Sequence, residues 1–200
     1  MNLSTKLDAV NVMLSIIGEA AVNSLSSGLL DAEMAETILD NITRSVQSTG
    51  WSFNEEIGYT LSPDSKGHLN LPANCVRVDL SQTESKYRNS TFDYVQRGSK
   101  LYDKINHTYV ISDPVVVDMI VLLDFEELPE AARRFITVRA GRSFQERVVG
   151  SDTLSSLTAD DENTAWLDLL HAESDVNDHN IFDDSSVSRV VNRSITNRIF

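Results

Sequence analysis

Cysteine is almost missing from this chain of 200 residues: Cys75 stands alone, so no internal disulfide can staple the fold. Stability must come from a hydrophobic core, for which the length suffices. With no Cys-His motif in the sequence, Cys75 is expected to be a small apolar side chain in the interior rather than a catalytic thiol. Long apolar runs are missing too. The longest, Val115 to Leu123, is broken by Asp118 and is about half the ~20 residues of a membrane helix. The start, MNLSTKLDAV, lacks a basic segment followed by an apolar one, so a soluble protein with no secretory leader and no membrane contact is expected. Cations are scarce, with 17 Lys and Arg against 30 Asp and Glu and a net charge of −13. That balance excludes simple wrapping of nucleic acid, which needs cations to displace counterions.

Recognisable chemistry is equally sparse. No glycine-rich phosphate loop, nucleophile elbow or paired-cysteine metal site occurs in the sequence. His171 and His179, among Asp168, Asp175 and Asp178, have the residue types of a metal site. Their spacing of eight residues is not the one-turn spacing that gathers ligands on a helix, so polar surface is expected, with no metal and no cofactor. Carboxylates are abundant. Glu55 or Glu56 with Asp124, Glu126 or Glu127 would make a glycosidase pair if they flanked a cleft at about 5 to 10 Å. A polysaccharide-degrading hydrolase is therefore the alternative reading.

What is present is a change of hydrophobic period between Asp31 and Pro63. Ala35, Leu39, Ile42 and Val46 repeat at three and four residues, as on a helix with one apolar stripe, and Gly50 supplies the stop. Trp51, Phe53, Ile57, Tyr59 and Leu61 then recur at even spacing, as on a strand with one buried face. Gly50, Trp51 and Phe53 are expected to form a structural hinge, with Trp51 plugging the joint between helix and sheet. Upstream, Leu3, Leu7, Val10, Leu14 and Ile17 form the seam of a first helix, broadened by Val12, Met13 and Ile16 and ended by Gly18; Asp31 is placed to cap the second. Strands are expected at Ile57–Leu61, His68–Leu71, Val76–Leu80, Phe92–Gln96, Lys100–Tyr102, His107–Ile111 and Val115–Leu123, with a polar contact loop from Ser81 to Ser90.

Leu128-Pro129-Glu130 opens a third helix that turns Ala132, Phe135, Ile136, Val138, Ala140 and Phe144 inward. Its Arg133, Arg134, Arg139, Arg142 and Arg147 are expected on a solvated face, against acids of a neighbouring subunit or, less simply, against phosphate. A fourth helix is expected from Asp160 to Ser174, with Trp166, Leu169 and Leu170 on one face. Ser151 to Ser186 holds ten acids and no Lys or Arg, whereas Val187 to Phe200 holds three arginines and no acid. These signals define an α+β protein: a helical bundle from residues 1–50 and 125–180, an antiparallel β domain at 51–124 inserted in it, and an extended C-terminal arm at 181–200.

Several blocks carry a family resemblance. They are Leu7-Asp8-Ala9-Val10-Asn11 with Ile16-Ile17-Gly18-Glu19, Ile38-Leu39, and Gln47-Ser48 with Gly50-Trp51-Ser52-Phe53-Asn54. Arg97-Gly98 with Tyr102-Asp103, Glu127-Leu128-Pro129-Glu130 and Arg142-Ser143-Phe144 complete the set. Across roughly residues 7 to 150 the chain resembles the tail tubular A proteins of short-tailed bacteriophages. The resemblance implies a structural virion protein, not an enzyme, assembled in the host cytoplasm into the virion tail. It implies a homo-oligomeric ring, a dodecamer, between the portal protein above and a nozzle of tail tubular protein B below, with tail fibres attached near the lower junction. DNA would pass through the ring without sequence-specific binding, and an acidic lumen suits that passage because like charge prevents phosphate adhesion. Val187, Arg189, Val190, Val191, Arg193, Ile195, Arg198, Ile199 and Phe200 would then be a portal-docking arm, being both more apolar and more basic than a free terminus needs. The same segment can instead fold back on its own subunit, its arginines meeting the acids between Asp152 and Asp184.

Overall fold

The structure, a computed structural model, describes residues 4–81, 92–150 and 152–176, the stretch 152–157 by its backbone alone. Its elements are α1 (Lys6–Ile16), α2 (Leu30–Gln47), β1 (Glu55–Leu61), β2 (Cys75–Leu80), β3 (Tyr94–Arg97), β4 (Lys100–Asp103), β5 (Val115–Val121), α3 (Glu130–Val148) and α4 (Asp152–Val176). Single 3-10 turns at Ser52–Asn54 and Phe125–Glu127 stand where the chain enters and leaves the strands. The fold class is α+β, with antiparallel sheets.

Local chemistry accounts for the helix ends. Thr5 and Asp8 form a reciprocal capping box at the start of α1. At its end Gly18 takes φ +82°, and Gly18 and Glu19 donate their N–H groups to the carbonyls of Ser15 and Leu14, a Schellman closure. The start of α2 differs from expectation. Leu29 is the boundary residue and gives no side-chain cap, while Asp31 lies inside the first turn with Glu33, where both acids favour the positive end of the helix dipole instead. The last helix begins at Asp152, earlier than expected, and buries Ala165 and Leu169 with Trp166 half-buried; Leu170 is exposed.

Two hydrophobic clusters result. One gathers side chains from all four helices, including Val10, Met13, Leu14, Leu39, Ile136 and Phe144, together with Trp51, Phe125 and Leu128. The other lies among the strands around Leu61, Leu69, Leu101, Val117 and Met119. The sheet order is β1-β5-β2 with β3-β4 as a separate hairpin, so β5 is central, and its run of Val, Met and Ile is the most buried of the strands.

Three strand expectations need correction. β1 has no buried face: Glu55 to Thr60 are all exposed, Ile57 at 65% and Tyr59 at 44%, and only Leu61 is inside. It is an edge strand with a bulge, in which Ile57 and Gly58 oppose Asp118 and Gly58 donates its N–H to the Asp118 carboxylate at 2.9 Å. Trp51 and Phe53 precede it in the 3-10 turn region, which breaks the even period before the strand begins. Neither His68–Leu71 nor His107–Ile111 is a ladder strand; only isolated bridges, His68 to Val110, Asn70 to Lys100 and Asp103 to Thr108, form there. The Asp64 carboxylate takes the N–H groups of Lys66 and His68, the Asp103 carboxylate takes those of Ile105 and Asn106, and His107 sits at φ 52°. Short acidic side chains have competed successfully with sheet pairing for the backbone donors.

Candidate functional site

The joint between the two clusters is built on a short polar framework. Trp51 is 6% exposed and donates Nε1–H to the Val46 carbonyl at 2.8 Å, which ties the ring to the last turn of α2. Phe53 stacks on it at 6.2 Å, and Trp166 of α4 meets it edge-on at 5.6 Å and in turn packs against Phe135 of α3. The residues expected as a hinge are thus brought together with α3 and α4. Gly50 adopts φ +90°, so the backbone there favours glycine, and a Cβ would stand 2.5 Å from Cδ1 of Ile120, which would have to shift.

Two buried amides, which the hydrophobic pattern passes over, complete the joint. Gln47 accepts the Leu123 N–H through Oε1 at 2.8 Å and donates Nε2–H to the Leu123 carbonyl at 3.0 Å, pairing with the chain beyond β5 as a neighbouring strand would. Asn54 donates Nδ2–H to the carbonyls of Gln47 and Val121 and accepts the Trp51 N–H, so one side chain links α2, the corner and β5. Ser52 donates both its N–H and its hydroxyl to the Glu173 carboxylate, fastening the C-terminal part of α4 to the same corner. A signal for Gln47 did exist: it continues the buried helical series through Leu39, Thr43 and Val46.

A second clasp corrects the expectation for α3. Arg133 is buried, not solvated: Nε donates to the Leu128 carbonyl, Nη1 to that of Ser4 and Nη2 to that of Glu126. It satisfies carbonyls at the entry to α3 and holds the N-terminus against it, a task suited to the planar fork of a guanidinium. Glu130 accepts the Ser4 N–H and hydroxyl, and chiefly the hydroxyl bond holds its carboxyl below the ordinary range. Nearby, burial works against the charge on Lys6, but its bonds to Asp40 and Glu36 outweigh that and raise its pKa. Arg142 and Arg139 meet Glu162 at 3.0 and 3.8 Å, so acids of the stretch after Ser151 pair with α3 arginines within one subunit.

Other candidates are not brought together. Glu55 lines a groove with Arg77, Asp79 and Asp118, whereas Asp124 and Glu126 line another with Lys6, Asp40 and Arg44. Glu55 of the first set and Asp124 and Glu126 of the second thus line different grooves. Glu126 accepts the Lys6 N–H and Glu127 that of Asp124, so both are engaged in helix and turn ends. Cys75 is half-buried, and burial pushes its thiol up, the opposite of an activated nucleophile. His171 is exposed on α4, His179 lies outside the described residues, and among the described residues no group of three or more His, Cys, Asp and Glu side chains is placed to hold a metal. The arm from Val187 to Phe200 lies outside the described residues, as does most of the contact loop from Ser81 to Ser90.

The chain's surface includes a groove of about 430 Å³ between α1, α3 and α4, where Val12, expected in the packing seam of α1, is 48% exposed. No helix of the described residues is long and apolar enough to cross a membrane. The arrangement is thus one of joints, clasps and open grooves, in which Glu126 and Glu127 are engaged at helix and turn ends.

Comparison with known proteins agrees with that character. The tail tubular protein family matches residues 7–179, which spans both hydrophobic clusters and the joint between them. Tail tubular protein A of Klebsiella phage KP34 is 30% identical over 131 residues, covering 66% of this chain and 66% of that protein, so the chain matches just under two thirds of the relative's length. On the extent of the family match, this chain belongs to the tail tubular protein family.

Proposed function

We propose that this protein is the adaptor ring of a short-tailed phage, a dodecamer that joins the portal to the tail nozzle and lines the channel through which DNA leaves. The observation that carries the reading is the family match over residues 7–179, set beside a structure in which the buried polar side chains of Gln47, Asn54 and Arg133 serve joints between elements. A ring gains stability because many weak contacts act together around a closed symmetry. In this reading the unit formed by residues 1–50 and 125–180 meets neighbouring subunits and the portal, and the unit at 51–124 meets the nozzle protein and the fibres. Gly50, Trp51 and Phe53 set the angle between them. The net charge of −13 suits a lumen that DNA crosses without adhering. Residues 187–200 are the portal-docking arm, because apolar and cationic side chains together make a segment that is stable only when covered. Assembly takes place in the host cytoplasm, and the protein has no catalytic turnover.

The test is to mix the purified full-length protein, and one lacking residues 187–200, with a purified portal and sediment the mixtures. The full chain should co-sediment in a fixed stoichiometry and leave capsular polysaccharide intact. Normal co-sedimentation by the shortened chain would remove the arm. Cleavage of a polysaccharide that is abolished by one carboxylate substitution, with folding retained, would replace the adaptor reading with the hydrolase.

A further inference from the structure

The groove between α1, α3 and α4 is open to solvent. Its apolar part comes from Ala9, Val12 and Val138, and its charged rim holds three carboxylates, Asp8, Glu130 and Asp161, against one cation, Arg134. Two of these acids are fixed in place. Asp8 accepts the N–H and hydroxyl of Thr5, and Glu130 accepts those of Ser4, so neither can turn away from the groove without breaking an end of α1. Bonds from Thr5 and from Ser4 also hold both carboxyls below their ordinary range, which keeps them charged. No described partner salt-bridges Asp161 or Arg134 within 4.0 Å, and Val12 leaves 48% of its surface to solvent. At about 430 Å³ the groove is in the range of sites that hold a short stretch of chain or a small ligand.

A complementary occupant must offer small branched apolar side chains beside cations and bring no acid. Residues 187–200 of this chain have that composition, VSRVVNRSITNRIF, with arginines at 189, 193 and 198 among valines and isoleucines. The preceding stretch, 177–186, carries Asp178, Asp183 and Asp184, so it shares the sign of the rim and does not compete for it. Reach is sufficient. Asp161 and Thr164, which line the groove, lie twelve to fifteen residues before the end of α4, about 18 to 22 Å back along the helix. Ten residues from 177 to 186, drawn out, span about 33 Å.

We propose that this groove is a docking site for a short stretch within residues 187–200 of the same subunit, around Val191, occupied before assembly and vacated when the portal takes the arm. The second half rests on the arm reading above; the first does not. The contact explains how a segment rich in apolar side chains is kept from joining free subunits to one another, and it makes release dependent on the portal offering better contacts than the groove. Because the rim is exposed, its share of the binding weakens as salt rises.

The test uses the full-length chain with Cys75→Ser as background. Val12→Cys with Val191→Cys is compared with Ile57→Cys with Val191→Cys under mild oxidation at low protein concentration, Ile57 on β1 being the more accessible position, at 65% against 48%. The Val12 pair should close within one subunit at least about tenfold faster than the Ile57 pair, since docking raises the local concentration of one thiol at the other. Adding Asp161→Lys should cut that preference to about twofold, as a reversed charge repels the tail. Val12 and Ile57 are both exposed, and melting curves confirm that each variant is folded. Equal closing rates, or crosslinks found only between subunits, would overturn the proposal. Portal mixing separates the two readings. If the oxidised Val12 pair still assembles, the arm reading fails and the groove site stands; if no lock forms but removal of residues 187–200 abolishes assembly, the groove site fails and the arm stands.

Discussion

Replacing Trp51 with alanine should be among the most damaging single changes in the described structure. The ring is 6% exposed, and a tryptophan buries about 150 to 250 Å², which at about 25 cal/mol per Å² corresponds to ~4 to 6 kcal/mol as an upper bound. Alanine retains part of the burial, but the edge-on contact with Trp166 at 5.6 Å is lost, a pair worth about 0.5 to 1.5 kcal/mol beyond area. The Nε1–H bond to Val46 is lost as well, though that carbonyl keeps the Thr49 N–H at 3.3 Å, so its release costs little. A loss of about 4 kcal/mol is expected, inside the ~3 to 5 kcal/mol usual for a buried aromatic cut to alanine. For a chain of this length each kcal/mol lowers Tm by about 2 to 4 °C, so the melt should fall by roughly 8 to 16 °C. Urea unfolding followed by circular dichroism measures it without relying on the fluorescence being removed. Trp51→Phe should recover much of the loss, and a cycle with Trp166→Ala should show coupling of about 1 kcal/mol. A loss below about 1 kcal/mol for Trp51→Ala would refute the claim that the corner organises the fold.

Gln47→Ala should destabilise by about 1 to 3 kcal/mol, because it strands both the N–H and the carbonyl of Leu123 in a partly buried joint; urea midpoints that match wild type would show the pairing to be dispensable. Arg133→Met keeps the length of the side chain but abandons three carbonyls, and about 3 kcal/mol should go, with faster amide exchange at residues 4 to 8 as the local signature; unchanged exchange there would deny the clasp. Asp64 has its pKa lowered from 3.8 to about 2, first by the His68 N–H bond and then by those of Asn70 and Lys66. A depressed carboxyl stabilises the fold fully above its unfolded value and loses that effect as pH falls, so the loop at residues 64–70 should loosen between about pH 4 and pH 2. Amide shifts of Lys66 and His68 report it, and the change should vanish in Asp64→Asn; a transition that persists in that variant would assign it to another group.

Helices were the most readable part of this sequence because their periods run long enough to average out exceptions. Leu39 and Val46, and Phe135, Ile136 and Phe144, lie where the three-and-four spacing puts them. The strands were harder, since each is short and local side chains compete for the same backbone donors: Asp64 and Asp103 turned two expected strands into loops with isolated bridges. β1 misled for another reason. Its even pattern of Ile57 and Tyr59 is real, but an edge strand with a bulge turns those side chains to solvent, and no pairing partner can be read from period alone. The burial of Trp51 was legible and Gln47 was signalled only by its place in the helical series, whereas Asn54 and Arg133 were not legible, because a polar residue reads as surface until its partners from distant segments are known. Leu123 and Ser4, the partners that explain Gln47 and Arg133, are 76 and 129 residues away.

The central claim, that this family member is an assembly element, is tested most directly by imaging the purified full-length protein bound to a purified portal by electron cryomicroscopy. The account predicts a closed ring seated coaxially on the portal, with density from each subunit's residues 187–200 reaching into it and acidic side chains facing the channel. A protein that stays off the portal, or binds it as scattered single copies without ring closure, would contradict the account.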